Sequence, residues 1–404
     1  MNLKDKTRRK YTRTFQIHGN RVYNNIMKVF TSESVTEGHP DKLADYIADS
    51  ILDAILSIDP KARVACEVSV TTNFCLIYGE VKSHARVDYI AIAKEAIKAV
   101  GYVDDELGYD ADKVEFLVKF DEQSADISAG VDGKEEQGAG DQGIVFGYAI
   151  NETEEKMPLA ITLANQLSQR LAYVRKNNIL PLLGPDGKTQ VTVEYDDQGN
   201  VLRVDTVVVS TQHRSEYDLK DVRADVKREV IDFIIPRELV DDKTVYHINP
   251  AGNFIIGGPH GDAGLTGRKL IVDTYGGYAK HGGGAMSGKD SSKVDRSGAY
   301  IARYLAKNIV ASGIAHECEI QLGYAIGVSK PVSVNVNTFN TGKVSDELIK
   351  KTVIEKFDLT PRGIVNRLGL EKPVFKKTAA YGHFGRSFAW EETDSVIIFK
   401  KLTK

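Results

Sequence analysis

Residues 257–296, GGPHGDAGLTGRKLIVDTYGGYAKHGGGAMSGKDSSKVDR, concentrate the residue types best suited to chemistry. In 40 residues they hold 11 of the 35 glycines, six cations (Arg268, Lys269, Lys280, Lys289, Lys293, Arg296), four aspartates and no glutamate. Glycine lacks a Cβ, so backbone amides approach a ligand closely and positive φ is tolerated. Successive amides in such turns form anion-binding concavities, and lysines and arginines among them contact a long polyanion at several points. The pattern reads as two loops gripping a phosphate chain, although a lone GGG as readily marks a tight turn. Gly283–Lys289 matches the first part of a P-loop, GxxxxGK. Asp290 then stands where the magnesium-binding hydroxyl belongs, and a polar stretch follows instead of apolar helical periodicity. The P-loop is rejected, and phosphate binding by another architecture is expected.

A second cluster lies at a predicted helix start. In HPDKLADYIADSILDAILSIDP, Leu43, Ile47, Ile51 and Ile55 recur every four residues, which marks an amphipathic helix. Pro40 suits its first turn. His39, Asp41 and Lys42 thus gather at a helix N-terminus, where free amides favour anions.

The elements that must position these residues follow in order. Arg63–Val70 and Phe74–Val81 read as a strand pair, Val87–Val100 as a helix and Val114–Phe120 as a strand. Residues 121–142 turn polar and glycine-rich, and a loop of that length inside a compact protein is expected to be a mobile lid. Gly143–Ile150 is a strand and Leu159–Asn178 a long helix; PDGK at 185–188 reads as a turn. Thr189–Asp196 and Val201–Thr211 flank the hairpin signal DDQGN. Asp218–Ile235 is helical and Thr244–Ile248 a strand. After the glycine stretch come helix Val294–Ala311, strands Glu317–Ile326 and Val332–Val336, and helix Asp346–Phe357. The class is α+β, with three similar subdomains of mixed or antiparallel sheet and helices. The expected boundaries are 28–126, 138–256 and 257–404, with a mobile active-site loop over 127–142.

At 404 residues, two or three domains are expected. A formal net charge of −3 argues against a nucleic-acid binder. Cys66, Cys75 and Cys318 are scattered without CxxC, which points to neither disulfides nor zinc and fits a reducing cytoplasm. No apolar run reaches membrane-spanning length. Residues 1–27 are expected to be a basic disordered tail, with Met27 as an alternative start; no signal-peptide core accompanies them.

Five stretches in order resemble one family: GHPDK (Gly38–Lys42), GAGDQG (Gly138–Gly143), GGPHGDAGLTGRK (Gly257–Lys269), HGGGAMSGKD (His281–Asp290) and TAAYGHFGR (Thr378–Arg386). Together they are similar to S-adenosylmethionine synthetase, methionine adenosyltransferase, over residues 29 to about 390. The resemblance implies a pseudo-threefold arrangement of the subdomains and transfer of adenosyl from ATP to L-methionine. Sulfur attacks the 5′ carbon, and the expelled triphosphate is hydrolysed to pyrophosphate and phosphate. A neutral thioether needs alignment and its leaving group needs charge stabilisation.

By this resemblance His39, Lys188, Arg268, Lys269 and Lys289 are catalytic. ATP is further bound by Asp186, Gly187, Asn253, Phe254, Asp262 and Ala285. Methionine is held by Glu80, Gln123, Asp141, Asp262 and Lys293. Asp41 and Asp295 are the implied magnesium ligands, two ions per subunit, and Glu67 the implied potassium ligand. The family also implies a homodimer or homotetramer with active sites at the subunit interface. Met286 stands where relatives usually carry Phe, Ala125 replaces a common proline, and the loop GVDGKEEQGAGDQG over 130–143 is shorter than in many relatives. The weighed alternatives are an inactive ATP-binding regulatory relative, which should have lost one of His39, Asp41, Lys289 or Asp295, and an ordinary phosphotransferase.

Overall fold

A computed structural model describes residues 28–121 and 138–403. The expected basic tail, most of the expected lid and Gln123 lie outside the described residues.

The strands in chain order are β1 (Lys28–Val35), β2 (Arg63–Thr71), β3 (Phe74–Lys82), β4 (Val103–Asp104), β5 (Tyr109–Asp110), β6 (Glu115–Asp121) and β7 (Gly143–Ile150). They continue with β8 (Leu183–Tyr195), β9 (Val201–His213), β10 (Val245–Ile248), β11 (Gly264–Leu265), β12 (Glu317–Tyr324) and β13 (Ser333–Asn337). The longer helices are α1 (Pro40–Ile58), α2 (Tyr89–Val100), α3 (Leu159–Lys176), α4 (Leu219–Val226), α5 (Val294–Ala311), α6 (Asp346–Lys356) and α7 (Pro361–Leu368).

Three mixed or antiparallel sheets organise the chain, in the orders β1-β8-β9-β10, β11-β2-β3-β6 and β13-β12-β7. In each, one strand comes from a remote stretch of chain. β1 pairs antiparallel with β8, β11 with β2, and β7 with β12. The three α+β units are therefore interlocked by backbone hydrogen bonds. One apolar core joins the second and third sheets with α1 and α5; another lies between the first sheet and α3.

Leu43, Ile47, Ile51 and Ile55 of α1 are buried at 1 % exposure or less, as their spacing predicts. The same helix buries a second four-residue stripe, Asp41, Asp45 and Asp49. A buried carboxylate without partners is costly, and each of these has them. Asp41 accepts the Leu265 N–H at 3.0 Å, Asp45 the Gly267 N–H at 2.9 Å, and Asp49 the Gly288 N–H at 2.8 Å. Asp53, one step further, accepts the amides of Phe375 and Lys376 at 3.0 and 2.9 Å. α1 is thus the rail on which the glycine-rich loops are hung.

Several local expectations change. PDGK at 185–188 is no turn: it lies inside β8, where Lys188 pairs with Val35 and Ser210 and a register shift falls between Leu183 and Gly187. The expected helix 218–235 is α4 followed by a wider π-type turn at Lys227–Ile231. β1 and α7 were not foreseen, although α7 carries a Thr360 cap, Pro361 in its first turn and a left-handed Gly369 after its end.

Candidate active site

His39 caps α1, and its Nδ1 accepts the Asp41 N–H at 3.2 Å. Nδ1 is therefore unprotonated, and the neutral ring presents Nε2–H as a donor. Burial, with Lys269 and Lys188 nearby, pushes its pKa down to about 3. The contact between Nδ1 and an Asp41 oxygen at 3.9 Å is accordingly no ion pair.

Asp41 accepts a charged hydrogen bond from Lys269 and lies 3.7 Å from the Arg268 Nε. Burial alone would raise its carboxyl, but Lys269 and the Leu265 amide hold it below the usual range. Lys188 is exposed beside this group, at the strand position that Thr36 flanks by donating to the Gly187 and Pro185 carbonyls. His39, Asp41, Lys188, Arg268 and Lys269 thus form one constellation.

A second constellation gathers on the other glycine loop. Lys289 bonds Asp295 at 2.7 Å, and its backbone bridges Ala65 of β2. Two residues along β2, Glu67 is half-buried, and no hydrogen bond reaches its carboxylate from the described residues. Burial lifts that carboxyl to about 7, against the pull of Lys289. His281 accepts the Gly283 N–H on Nδ1 at 2.8 Å, so its Nε2 carries the proton of the neutral ring.

The two loops meet at Gly267 and Ala285. Gly267 has φ +76°, and a Cβ there would sit 2.5 Å from the Ala285 Cβ. Arg268 and Lys269 are therefore set immediately across from the Ala285–Lys289 turn.

A third group adjoins the first. Asp186 is buried, accepts the Gly258 N–H at 2.9 Å through Oδ2, and leaves Oδ1 without a partner. Burial raises its pKa to about 6, with Asp262 adding to the effect. Asp262 and Asn253 are exposed, and the Phe254 backbone is fixed by His213 in both directions. Gly187 is buried where β8 meets Thr36.

The remaining predicted residues lie at the margins. Glu80 is exposed opposite Ala65. Asp141 is exposed two residues before Gly143, which abuts the Asp295 carboxylate. Lys293 donates to Asp290 at 2.7 Å. Met286 is buried at 1 % exposure, so it packs as the apolar residue expected there. Among the described residues no three of His, Cys, Asp and Glu form a ready-made metal cage.

Lys42 and Arg296, expected from the sequence among the anion-facing cations, lie instead in a buried layer beneath. Lys42 is fully buried between Asp45 (2.8 Å) and Asp273, and Arg296 is fully buried in a bidentate pair with Asp49. The four-residue spacing of Asp41, Asp45, Asp49 and Asp53 was the available signal.

Two carboxylate–cation groups that meet at Gly267 and Ala285, with a third adjoining the first, converge from α1, β8 and two glycine loops of an α+β fold and present several cations to one cleft. Comparison with known families matched residues 27–125 to the S-adenosylmethionine synthetase N-terminal domain, 136–254 to its central domain and 256–392 to its C-terminal domain. The chain belongs to the S-adenosylmethionine synthetase family. It is a methionine adenosyltransferase, making S-adenosylmethionine from ATP and L-methionine. All three domains of the family are matched, and nothing favours an inactive relative.

Proposed function

We propose that Lys188, Arg268, Lys269 and Lys289 clamp the ATP triphosphate between the α1 N-terminus and the Ala285–Lys289 turn. The observation that carries this is the pairing of Lys269 with Asp41 and of Lys289 with Asp295 on two loops that touch at Gly267 and Ala285. Arriving phosphates compete for both ammonium groups and free both carboxylates.

Those carboxylates suit magnesium, which takes one or two of them together with phosphate oxygens; two ions per subunit would be held by Asp41 and Asp295. Bound magnesium supplies charge neutralisation on the phosphates. Glu67 suits potassium: a half-buried carboxyl lifted to about 7 is a group that a cation would restore to its ionised form.

The protein's own steps follow from position. Sulfur of methionine approaches the 5′ carbon; the S–C bond forms as the C–O bond breaks, and the electron pair goes to the triphosphate oxygen. His39, neutral with Nε2–H, donates to that oxygen as charge develops. Triphosphate then stays clamped for hydrolysis to pyrophosphate and phosphate. The adenosine end lies toward Phe254, Asn253, Asp262, Gly187 and the unpartnered Oδ1 of Asp186, with Ala285 offering backbone beside the phosphates. Methionine is held by Glu80, Gln123, Asp141, Asp262 and Lys293, acids toward its ammonium and the lysine toward its carboxylate.

A second copy completes the site in a homodimer or homotetramer, working in the cytoplasm. The support is that Glu80 and Asp141 are exposed on a single chain, as are the apolar Leu117 (55 %) and Ile144 (47 %) on the outer sheet faces. Light scattering giving a monomer of full activity would remove the shared-site reading.

The test of the whole is direct. Purified protein with ATP, L-methionine, magnesium and potassium should yield S-adenosylmethionine, pyrophosphate and phosphate in equal amounts. Phosphate release without adenosyl transfer would overturn the assignment of roles.

A further inference from the structure

The TAAYGHFGR segment, residues 378–386, touches neither cation loop's side chains in the groups above, and the proposed chemistry leaves it without a role. What it does contact is the buried pair Asp49–Arg296. Arg296 donates to both Asp49 oxygens, at 2.9 and 2.7 Å, and both side chains are fully buried. The same pair holds the backbone around Lys289 from two directions. Asp49 accepts the Gly288 N–H at 2.8 Å, and the Arg296 Nη1 donates to the Lys289 carbonyl at 2.9 Å. Gly288, at φ +77°, lies so close to the Cys66 carbonyl that a Cβ would fall 1.9 Å from it. The turn is thereby pressed onto β2 and gripped from behind.

The segment closes the other side of Arg296. The Thr378 Oγ1 accepts from the Arg296 Nη2 at 3.2 Å and itself donates to the Phe375 carbonyl at 2.7 Å. The Arg296 Nε donates to the Tyr300 hydroxyl at 3.1 Å, and that hydroxyl lies 2.8 Å from the His383 Nδ1. The Tyr300 hydroxyl thus links the guanidinium to the buried His383 ring. Every N–H donor of the guanidinium is committed. The Phe375 ring covers its face at 4.3 Å.

We propose that Asp49 and Arg296 are positioning residues that fix the Lys289 ammonium for the triphosphate, and that the 378–386 segment is the brace that holds Arg296 in that role. The inference rests on Lys289 contacting the triphosphate. A guanidinium with fewer partners would rotate, lose the Lys289 carbonyl and let the turn shift. A displacement of about 1 Å at a catalytic group costs roughly a hundredfold in rate.

Thr378→Val, Tyr300→Phe and Arg296→Lys test it, with inorganic tripolyphosphate plus magnesium as the probe of the clamp. The expected result is a fall in kcat of about tenfold for the first two and about a hundredfold for the third. Tripolyphosphate affinity should fall in parallel, KM for methionine should stay within about twofold, and Thr378→Ser should recover most of the loss. If Arg296→Lys does not fold, the two milder variants decide the matter. Folded variants with a lower Tm but wild-type kcat and tripolyphosphate affinity would show a structural role alone and overturn the inference. Lys289→Ala is run beside them. If it weakens tripolyphosphate binding while the brace variants do not, the brace fails and the clamp stands. If Lys289→Ala changes neither kcat nor tripolyphosphate binding, the clamp reading and this inference fall together.

Discussion

The Asp49 carboxylate accepts the Gly288 amide hydrogen across 239 residues of chain, at 2.8 Å and fully buried. One helix near the start of the described chain therefore sets the position of a loop far along it, together with the lysine that follows. The same device is repeated one and two turns earlier at Asp45 and Asp41.

Removing the ammonium of Lys289 should separate activity from stability. Lys289 is about one-fifth exposed and bonds one carboxylate, so Lys289→Ala should change Tm by only a few degrees. Loss of a charge aimed at the leaving group should lower kcat by about 10²–10³-fold. Methionine-dependent pyrophosphate release and calorimetry on the same preparation check both.

His39 should stay neutral through the working pH range. With its folded pKa near 3 against about 6.5 unfolded, the unfolded state binds the extra proton between those values. Stability therefore falls as pH drops below about 6.5, and no ring titration appears above that in the folded protein. Nitrogen-15 NMR of the imidazole should show one tautomer, protonated on Nε2, unchanged from pH 8 to pH 5. A titration near 6.5 would contradict it.

Potassium and protons should compete at Glu67. Its carboxyl is lifted from 4.5 to about 7, mainly by burial, so it gains a proton as pH falls through 7. The potassium concentration for half-activation should therefore rise about tenfold between pH 8 and pH 6. Glu67→Gln should flatten that dependence. The test is a potassium titration of initial rates at several pH values.

Asp41→Asn should keep the Leu265 amide contact while losing the charge. The magnesium needed for half-maximal rate should rise by about tenfold or more, with fold and Tm changed far less. Initial rates against free magnesium measure it.

Gly267→Ala should harm both stability and rate. The residue has φ +76°, and its new methyl would collide with Ala285. Left-handed strain of about 1–3 kcal/mol should appear as a lower Tm. The parting of the two loops should appear as a raised KM for ATP. A variant with normal KM would show that the Gly267–Ala285 contact does not set loop spacing.

Much of this was readable in one dimension. The stripe Leu43–Ile55 placed α1, and 294–311 was placed to the residue, because apolar periodicity reports burial directly. The buried aspartate stripe on α1 went unread. A charged residue every four positions ordinarily marks a solvated helix face, and only the partner amides, more than 200 residues away, reverse that reading. PDGK reads as a turn because proline and glycine usually break strands; in β8 its Gly187 and Lys188 pair with β9, Lys188 also pairs with β1, and Pro185 and Asp186 fall in the irregularity before them. Lys293 illustrates the limit for ligand roles, since the role its motif implies says nothing of its bond to Asp290, three residues before it.

The sequence alone determined the class of elements, the loops rich in glycine and cations, and the ordered motifs that carry the family. These are local properties: hydrophobic period, turn chemistry and side-chain charge are written in neighbouring residues. Tertiary structure decided which carboxylate faces which amide, how the three sheets exchange strands, and that His39 is neutral with its proton on Nε2. Those depend on distance and burial between remote segments, where a lysine a few ångströms away or the loss of water shifts a proton, and no stretch of chain contains that information by itself.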